Sequence, residues 1–312
     1  EGTKTIGDKA FYQCYNLSEI NLPNTINSIG EFSMARSKIT NLNVPSSLKT
    51  IKTYAFLSLT NLVTVNIPEG VETIESSAFS GCTKLEAITI PSTVTDIKNG
   101  AFSNCNNLIQ INMNTNKFTY ESGMLLPEDK SEIIFVSKKI LENTDTFKIP
   151  EGIQTFTINL GNFTNIKNVS IPKSLINMKG GILPKYVENI TIAEGNTNFY
   201  VENKQLYKGT TLLMSYTGKE SVTVKTGTIT IGSYAFSGEK NAKEIILPAS
   251  VENIREYIML DLSKLQKLKI GKNASNIPPQ FNFGALNVQI ELDADNKNYT
   301  IVNNVLYDYD KT

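Results

Sequence analysis

The stretch Ile74-Glu75-Ser76-Ser77-Ala78-Phe79-Ser80-Gly81-Cys82-Thr83-Lys84-Leu85-Glu86-Ala87-Ile88-Thr89-Ile90-Pro91 decides the fold, because the chain repeats it. Versions of it open at Ile6, Ile29, Ile51, Ile74 and Ile97, at steps of 23, 22, 23 and 23 residues. A period in this range is the mark of a solenoid, whose units bury their apolar faces only against their neighbours. Within the stretch, Leu85, Ile88 and Ile90 fall into partial alternation, which predicts a short strand with Ile88 and Ile90 on one side. Pro91 ends that strand, since it has no N–H to give to a ladder. The run Ser76–Gly81 is small and turn-prone and predicts a single helical or 3₁₀ turn that closes the coil.

The same columns run down the chain. Phe11, Met34, Phe56, Phe79 and Phe102 share one, and Leu17, Ile39, Leu62, Leu85 and Leu108 another. Cys14, Cys82 and Cys105 share a third, in which Leu59 stands in for cysteine. Leucine at that position points to a small apolar plug, so reduced, buried thiols are expected. A Cys82–Cys105 disulfide between adjacent coils stays open, although side chains in register run parallel and fit the bond poorly. Three thiols with no histidine make a weak metal site.

Composition excludes several classes of function. The chain has 312 residues, with 30 basic side chains against 30 acidic ones, and neither His nor Trp. Zero net charge argues against a nucleic-acid partner. Without His, the commonest general base and metal ligand are missing, and no cofactor is expected. Arg36 and Arg255 are the only arginines, which argues against planar phosphate recognition. No apolar run is long enough to span a bilayer, so no membrane insertion is expected. Glu1 lies inside a repeat and Thr312 inside another motif, so the sequence reads as a segment of something longer.

The repeat lapses after Met113. Phe118-x-x-x-Ser122-Gly123-x-Leu125-Leu126 returns as Phe199-x-x-x-Asn203-Lys204-x-Leu206-Tyr207 and as Tyr299-x-x-x-Asn303-Asn304-x-Leu306-Tyr307. Ser-Gly, Asn-Lys and Asn-Asn between β-formers predict tight hairpins with positive φ at the turn. The first two copies run on into a further apolar strand, at residues 133–136 and 212–214. The expected parse is one continuous solenoid over 1–312. Regular repeats occupy 1–117, a hairpin insertion 118–146, degenerate repeats 147–195, a second insertion 196–221, repeats 222–295 and a cut-off hairpin motif 296–312.

Ile-x-x-x-Ala-Phe-x-x-Cys-x-x-Leu-x-x-Ile-x-Ile-Pro resembles the BspA-like class of leucine-rich repeats. Ile74 to Pro91 matches it almost letter for letter; Ile6 to Pro23 and Ile97 to Met113 match with small departures. The motif around Phe118, Phe199 and Tyr299 is similar to the interludes of that family. The resemblance implies a curved leucine-rich repeat solenoid, with a parallel sheet on the concave face and short helical turns on the convex side. It also implies a secreted or cell-surface protein, mostly bacterial, with a role in adhesion to an extracellular protein or glycan. It brings no catalytic or ligand residue.

On such a solenoid the residue between the two buried strand positions faces outward. Asn21, Asn43, Asn66, Thr89 and Asn112 then form an uncharged, amide-rich strip, continued by Ser170, Thr191, Ile246 and Lys269. The strip is the candidate binding surface, on a chain expected to be monomeric. The bland reading is that Asn and Thr bond up and down an exposed parallel stack. Three functions compete: a non-enzymatic recognition module, a stalk that holds another domain off a cell surface, and a carbohydrate-active enzyme. The last needs paired acids. Glu69 with Glu72 and Asp293 with Asp295 are the nearest pairs, but they have no Arg or His beside them, and no catalytic site is assigned.

Overall fold

The structure, a computed structural model, describes residues 2–161, 163–178, 182–282 and 287–308. It forms two compact units: one of residues 2–145 and 152–158, the other of residues 146–151 and 159–308. Residues 309–312 of the third hairpin motif lie outside the described residues.

In the first unit the strands Asn41–Asn43 and Thr64–Asn66 pair in parallel, as do Ala87–Ile90 and Gln110–Met113. Each pair is in register at the 23-residue step. The opening isoleucines form a second parallel ladder, Thr50–Ile51 on Thr73–Ile74 on Asp96–Ile97. The coils that open at Ile29, Ile51, Ile74 and Ile97 therefore each carry two strands, where the repeat pattern predicted one. Ile51, Ile74, Phe79, Leu85, Ile90 and Val94 are fully buried along the axis of the stack.

The closing turn is not helical. A helix would take every N–H for its own carbonyls. Here the N–H groups of Ala78 and Ser80 close β-turns onto Glu75 and Ser77, while those of Phe79 and Gly81 go to Ala101 and Ser103 of the next coil, at 2.9 and 2.7 Å. Alternate donors thus serve the turn and the stack. Such a path needs left-handed residues, and they recur at two fixed places, the third and seventh after the opening Ile: Lys9 and Gln13, Phe32 and Arg36, Tyr54 and Ser58, Ser77 and Gly81, Gly100 and Asn104. The predicted helical turn is corrected on this point.

Inside the turn, Phe56, Phe79 and Phe102 stack at centroid spacings of 5.3 and 5.8 Å. The column ends on Phe135, edge-on to Phe102 at 6.2 Å. Phe135 comes from the first hairpin motif, whose strands Phe118–Glu121, Met124–Pro127 and Phe135–Val136 form one antiparallel sheet. Ser122 and Gly123 hold positive φ at its turn, as do Asn203 with Lys204 and Asn303 with Asn304 in the later copies. All three tight turns match the prediction.

In the second unit, Thr146–Lys148, Asn168–Ile171 and Asn189–Ile192 form one parallel sheet. Ser221–Thr223, Glu244–Ile246, Lys267–Ile270 and Gln289–Leu292 form another. The second hairpin motif splices into the stack: Thr211–Ser215 pairs antiparallel with Gln205–Lys208 on one side and parallel with Thr230–Ile231 on the other. Asn196 fastens it to the preceding coil. Its amide donates to the carbonyls of Pro172 and Leu175, and its oxygen accepts from the N–H of Asn198 and Phe199. Asn296 repeats all four bonds before the third motif, on Gly271, Ala274, Asn298 and Tyr299. Both motifs are introduced by Asn-x-Asn-aromatic, a signature of docking that apolar periodicity does not reveal.

The exposed strand face as candidate functional site

The strip forms on the first unit with one exception. Asn43, Asn66, Thr89 and Asn112 stand exposed at matching places of four strands, with Asn43 level with Asn66 and Thr89 level with Asn112. Asn21 is exposed but lies outside any strand. Leu42, Ile88 and Ile111 are buried behind the face, so it rests on packed core.

Part of the face is bonded to itself. The Thr64 hydroxyl donates to Asn41 Oδ1 at 2.6 Å, Gln110 Nε2 to Asn112 Oδ1 at 2.9 Å, and Asn112 Nδ2 to Thr89 at 3.4 Å. The carboxamides of Asn43 and Asn66 have no hydrogen-bond partner among the described residues. The strip is mixed: Asn112 and Thr89 bond along the stack, while the exposed Asn43 and Asn66 side chains make no such bond among the described residues. None of the outward residues of these four strands is charged.

The matching face of the second unit is chemically different. Lys269 pairs with Glu244 at 2.9 Å and Lys267 with Glu291 at 2.8 Å, and the Ser221 hydroxyl donates to Glu244. The bonds from Lys269 and then Ser221 hold the Glu244 carboxyl below its ordinary range, and Glu244 pushes Lys269 up. Ile246 and Lys269 do lie on this face, half-buried. Alternation of apolar residues does not reveal these ion pairs. The signal was there in the charges at 244, 267, 269 and 291.

The candidate acids have structural work. Glu69 accepts from the Ser92 N–H and hydroxyl and the Thr93 N–H, which lower its pKa. Glu72 pairs with Lys49 at 2.7 Å, and Asp293 accepts from the N–H of Asp295. The aromatic residues of the hairpin motifs serve local cores: Phe135, Phe199, Tyr207 and Tyr216 are buried, and Tyr120, half-buried, donates to the carbonyl of Ile109. Tyr200 remains exposed and stacks on Tyr207 at 5.2 Å.

Coils of 22 or 23 residues, stacked through parallel strands, define a β-solenoid repeat protein. The family profile for the BspA type leucine rich repeat region matches six copies, over residues 1–109 and 209–309, and the chain belongs to that family. The unmatched centre, 110–208, contains the first hairpin motif, the degenerate coils and the start of the second hairpin motif. No curated protein matches the chain. Among solved structures, the chain is similar to a leucine rich cell surface protein of Faecalibacterium prausnitzii A2-165, with 18% identity, a TM-score of 0.54, and coverage of 90% of this chain and 85% of that one. It is also similar to the pneumococcal vaccine antigen PcpA, with 20% identity, a TM-score of 0.50, and coverage of 94% and 72%. At these identities the likeness is one of fold.

Proposed function

We propose that this chain is a non-enzymatic recognition module of a bacterial cell-surface or secreted protein. Its first unit binds an extracellular protein or glycan on the face carrying Asn43, Asn66, Thr89 and Asn112. The observation that carries the reading is the pair of exposed carboxamides, Asn43 and Asn66, level with each other on paired parallel strands. In the second unit the corresponding polar groups are paired with one another instead. The absence of charge from the face favours a partner bound by hydrogen bonds and shape rather than by ion pairs. The cell-surface description of the Faecalibacterium relative supports the location.

Asn43→Arg with Asn66→Arg tests the reading. Purified chain is offered to immobilised extracellular-matrix proteins and glycans. Wild type is expected to bind at least one, and the double variant to lose that binding at least about tenfold, a change of about 1.4 kcal/mol, with its circular dichroism unchanged. Failure of wild type to bind any of the panel, or equal binding by both proteins, contradicts it.

A further inference from the structure

The four strands of the first unit's candidate face present two outward rows, the strip itself and a second row one step back along each strand, Asn41, Thr64, Ala87 and Gln110. All eight positions are exposed; five carry a carboxamide, two a hydroxyl, and Ala87 alone has no polar side-chain atom. The exposed aliphatics nearest to them, Val63 and Ile109, precede the strands and stand outside both rows. Paired strands lie about 4.8 Å apart. Asn43 is level with Asn66, and Thr89 with Asn112. Hydrogen-bonding groups therefore recur along the stack at the step of one coil.

This chemistry discriminates between partners. A protein partner needs an apolar centre that excludes water, with aromatic or Arg anchors seated in pockets. The two rows offer no aliphatic side chain larger than Ala87 and no ring. Nucleic acids and sulfated or uronic glycans need cations, and the rows hold none. A neutral glycan presents hydroxyl groups, which donate and accept at once, and a carboxamide does the same. A linear glycan also presents them at a regular interval, one set to each sugar ring. Part of the face is ordered before any partner arrives, since Thr64 donates to Asn41 at 2.6 Å and Gln110 to Asn112 at 2.9 Å.

We infer that this face binds a neutral, linear glycan laid along the stack, across the strands, with one sugar ring to each coil and its firmest hold at Asn43 and Asn66. The inference rests on the reading of this face as the binding surface and narrows the partner to one class. Asn43 and Asn66 contribute most because their carboxamides give up no bond within the face when a hydroxyl approaches, whereas Asn112 must exchange its bonds with Gln110 and Thr89.

Calorimetric titration of the whole chain with linear β-linked oligomers of glucose, mannose and N-acetylglucosamine, from disaccharide to hexasaccharide, tests the inference, with heparin as the sulfated counterpart. Saturable binding of at least one neutral series is expected. It should tighten with length up to the tetrasaccharide, one ring for each of the four strands, and level off beyond it. Heparin should bind at least about tenfold more weakly. Asn43→Ala with Asn66→Ala should weaken the neutral glycan at least about tenfold, as the loss of two hydrogen bonds predicts, with circular dichroism unchanged. No saturable binding of any neutral series, equal affinity for disaccharide and hexasaccharide, or equal binding by the double variant overturns the inference. If a matrix protein binds instead, and Asn43→Arg with Asn66→Arg abolishes that binding, the face remains the binding surface and the glycan alone falls. If nothing binds, both readings fall together.

Discussion

The carboxylate of Glu239 accepts a 2.6 Å hydrogen bond from the hydroxyl of Ser215, and neither side chain meets solvent. Glu239 stands eight residues after its opening Ile231, in the column that holds Cys82, Cys105 and Leu59 elsewhere. The thiols there donate to the preceding coil, Cys82 to the Phe56 carbonyl and Cys105 to that of Phe79. Before Glu239 the preceding layer is the hairpin return, which presents donors instead: the N–H and hydroxyl of Thr217 and the N–H of Gly218. An acceptor is needed, and a carboxylate supplies it.

Glu239→Ala should therefore destabilise the chain by about 3 kcal/mol or more, because it strands several donors that the carboxylate satisfies, at about 1–3 kcal/mol for each group left buried without a partner. Glu239→Leu, which copies the column's apolar resident, should not restore it. Urea melts of the three proteins decide the matter; an alanine variant within about 0.5 kcal/mol of wild type, the range of neutral surface changes, would refute the latch.

The left-handed columns make a prediction about backbone. Ser77 takes φ 57° and its hydroxyl has no hydrogen-bond partner among the described residues, so Ser77→Gly should stabilise by up to about 1 kcal/mol. At Gly100, φ is 82° and a Cβ would meet nothing nearer than 3.5 Å. Gly100→Ala should nonetheless cost about 1 kcal/mol or more, through conformation alone. Thermal melts should move in opposite directions.

The cysteines should differ in reactivity. Cys82 and Cys105 are buried and free, and burial, followed by the neighbouring Cys105, pushes the Cys82 thiol well up. Cys14 is free and part-exposed. Since the thiolate is the reactive form, a thiol reagent should label one site quickly in the native chain and three after denaturation. Rapid labelling of all three without denaturant would show the column to be open.

Burial pushes the Tyr216 hydroxyl up to about 12, from an ordinary value of 10. Its folded-state pKa is raised, so the stabilisation is complete below pH 10. It is lost as pH climbs through the folded value, because the unfolded chain gives up its proton first. Stability should fall between pH 10 and 12, and Tyr216→Phe should flatten that fall. An unchanged slope in the variant would remove Tyr216 from the account.

Much of this was legible in the sequence, for a physical reason. Ile74, Phe79, Leu85 and Ile90 recur because each coil can bury them only against its neighbours, so period and core are one pattern. Turn chemistry was legible where its residues are distinctive, as at Ser122-Gly123 and Asn203-Lys204. The alternating turn was not, because its left-handed sites hold Lys9, Phe32, Tyr54 and Ser77, which have no common side-chain property. Glu239 was hidden because its role depends on donors that the fold alone brings to it. On the candidate face, alternation placed Asn43, Asn66, Thr89 and Asn112 correctly, and it could not tell which amides are free.

The most direct measurement is hydrogen–deuterium exchange of the whole chain, alone and with whichever matrix protein or glycan the panel identifies. The account predicts slowed exchange in residues 41–43, 64–66, 87–90 and 110–113 of the first unit. Protection confined to the second unit, with those four strands exchanging at unchanged rates, would contradict it.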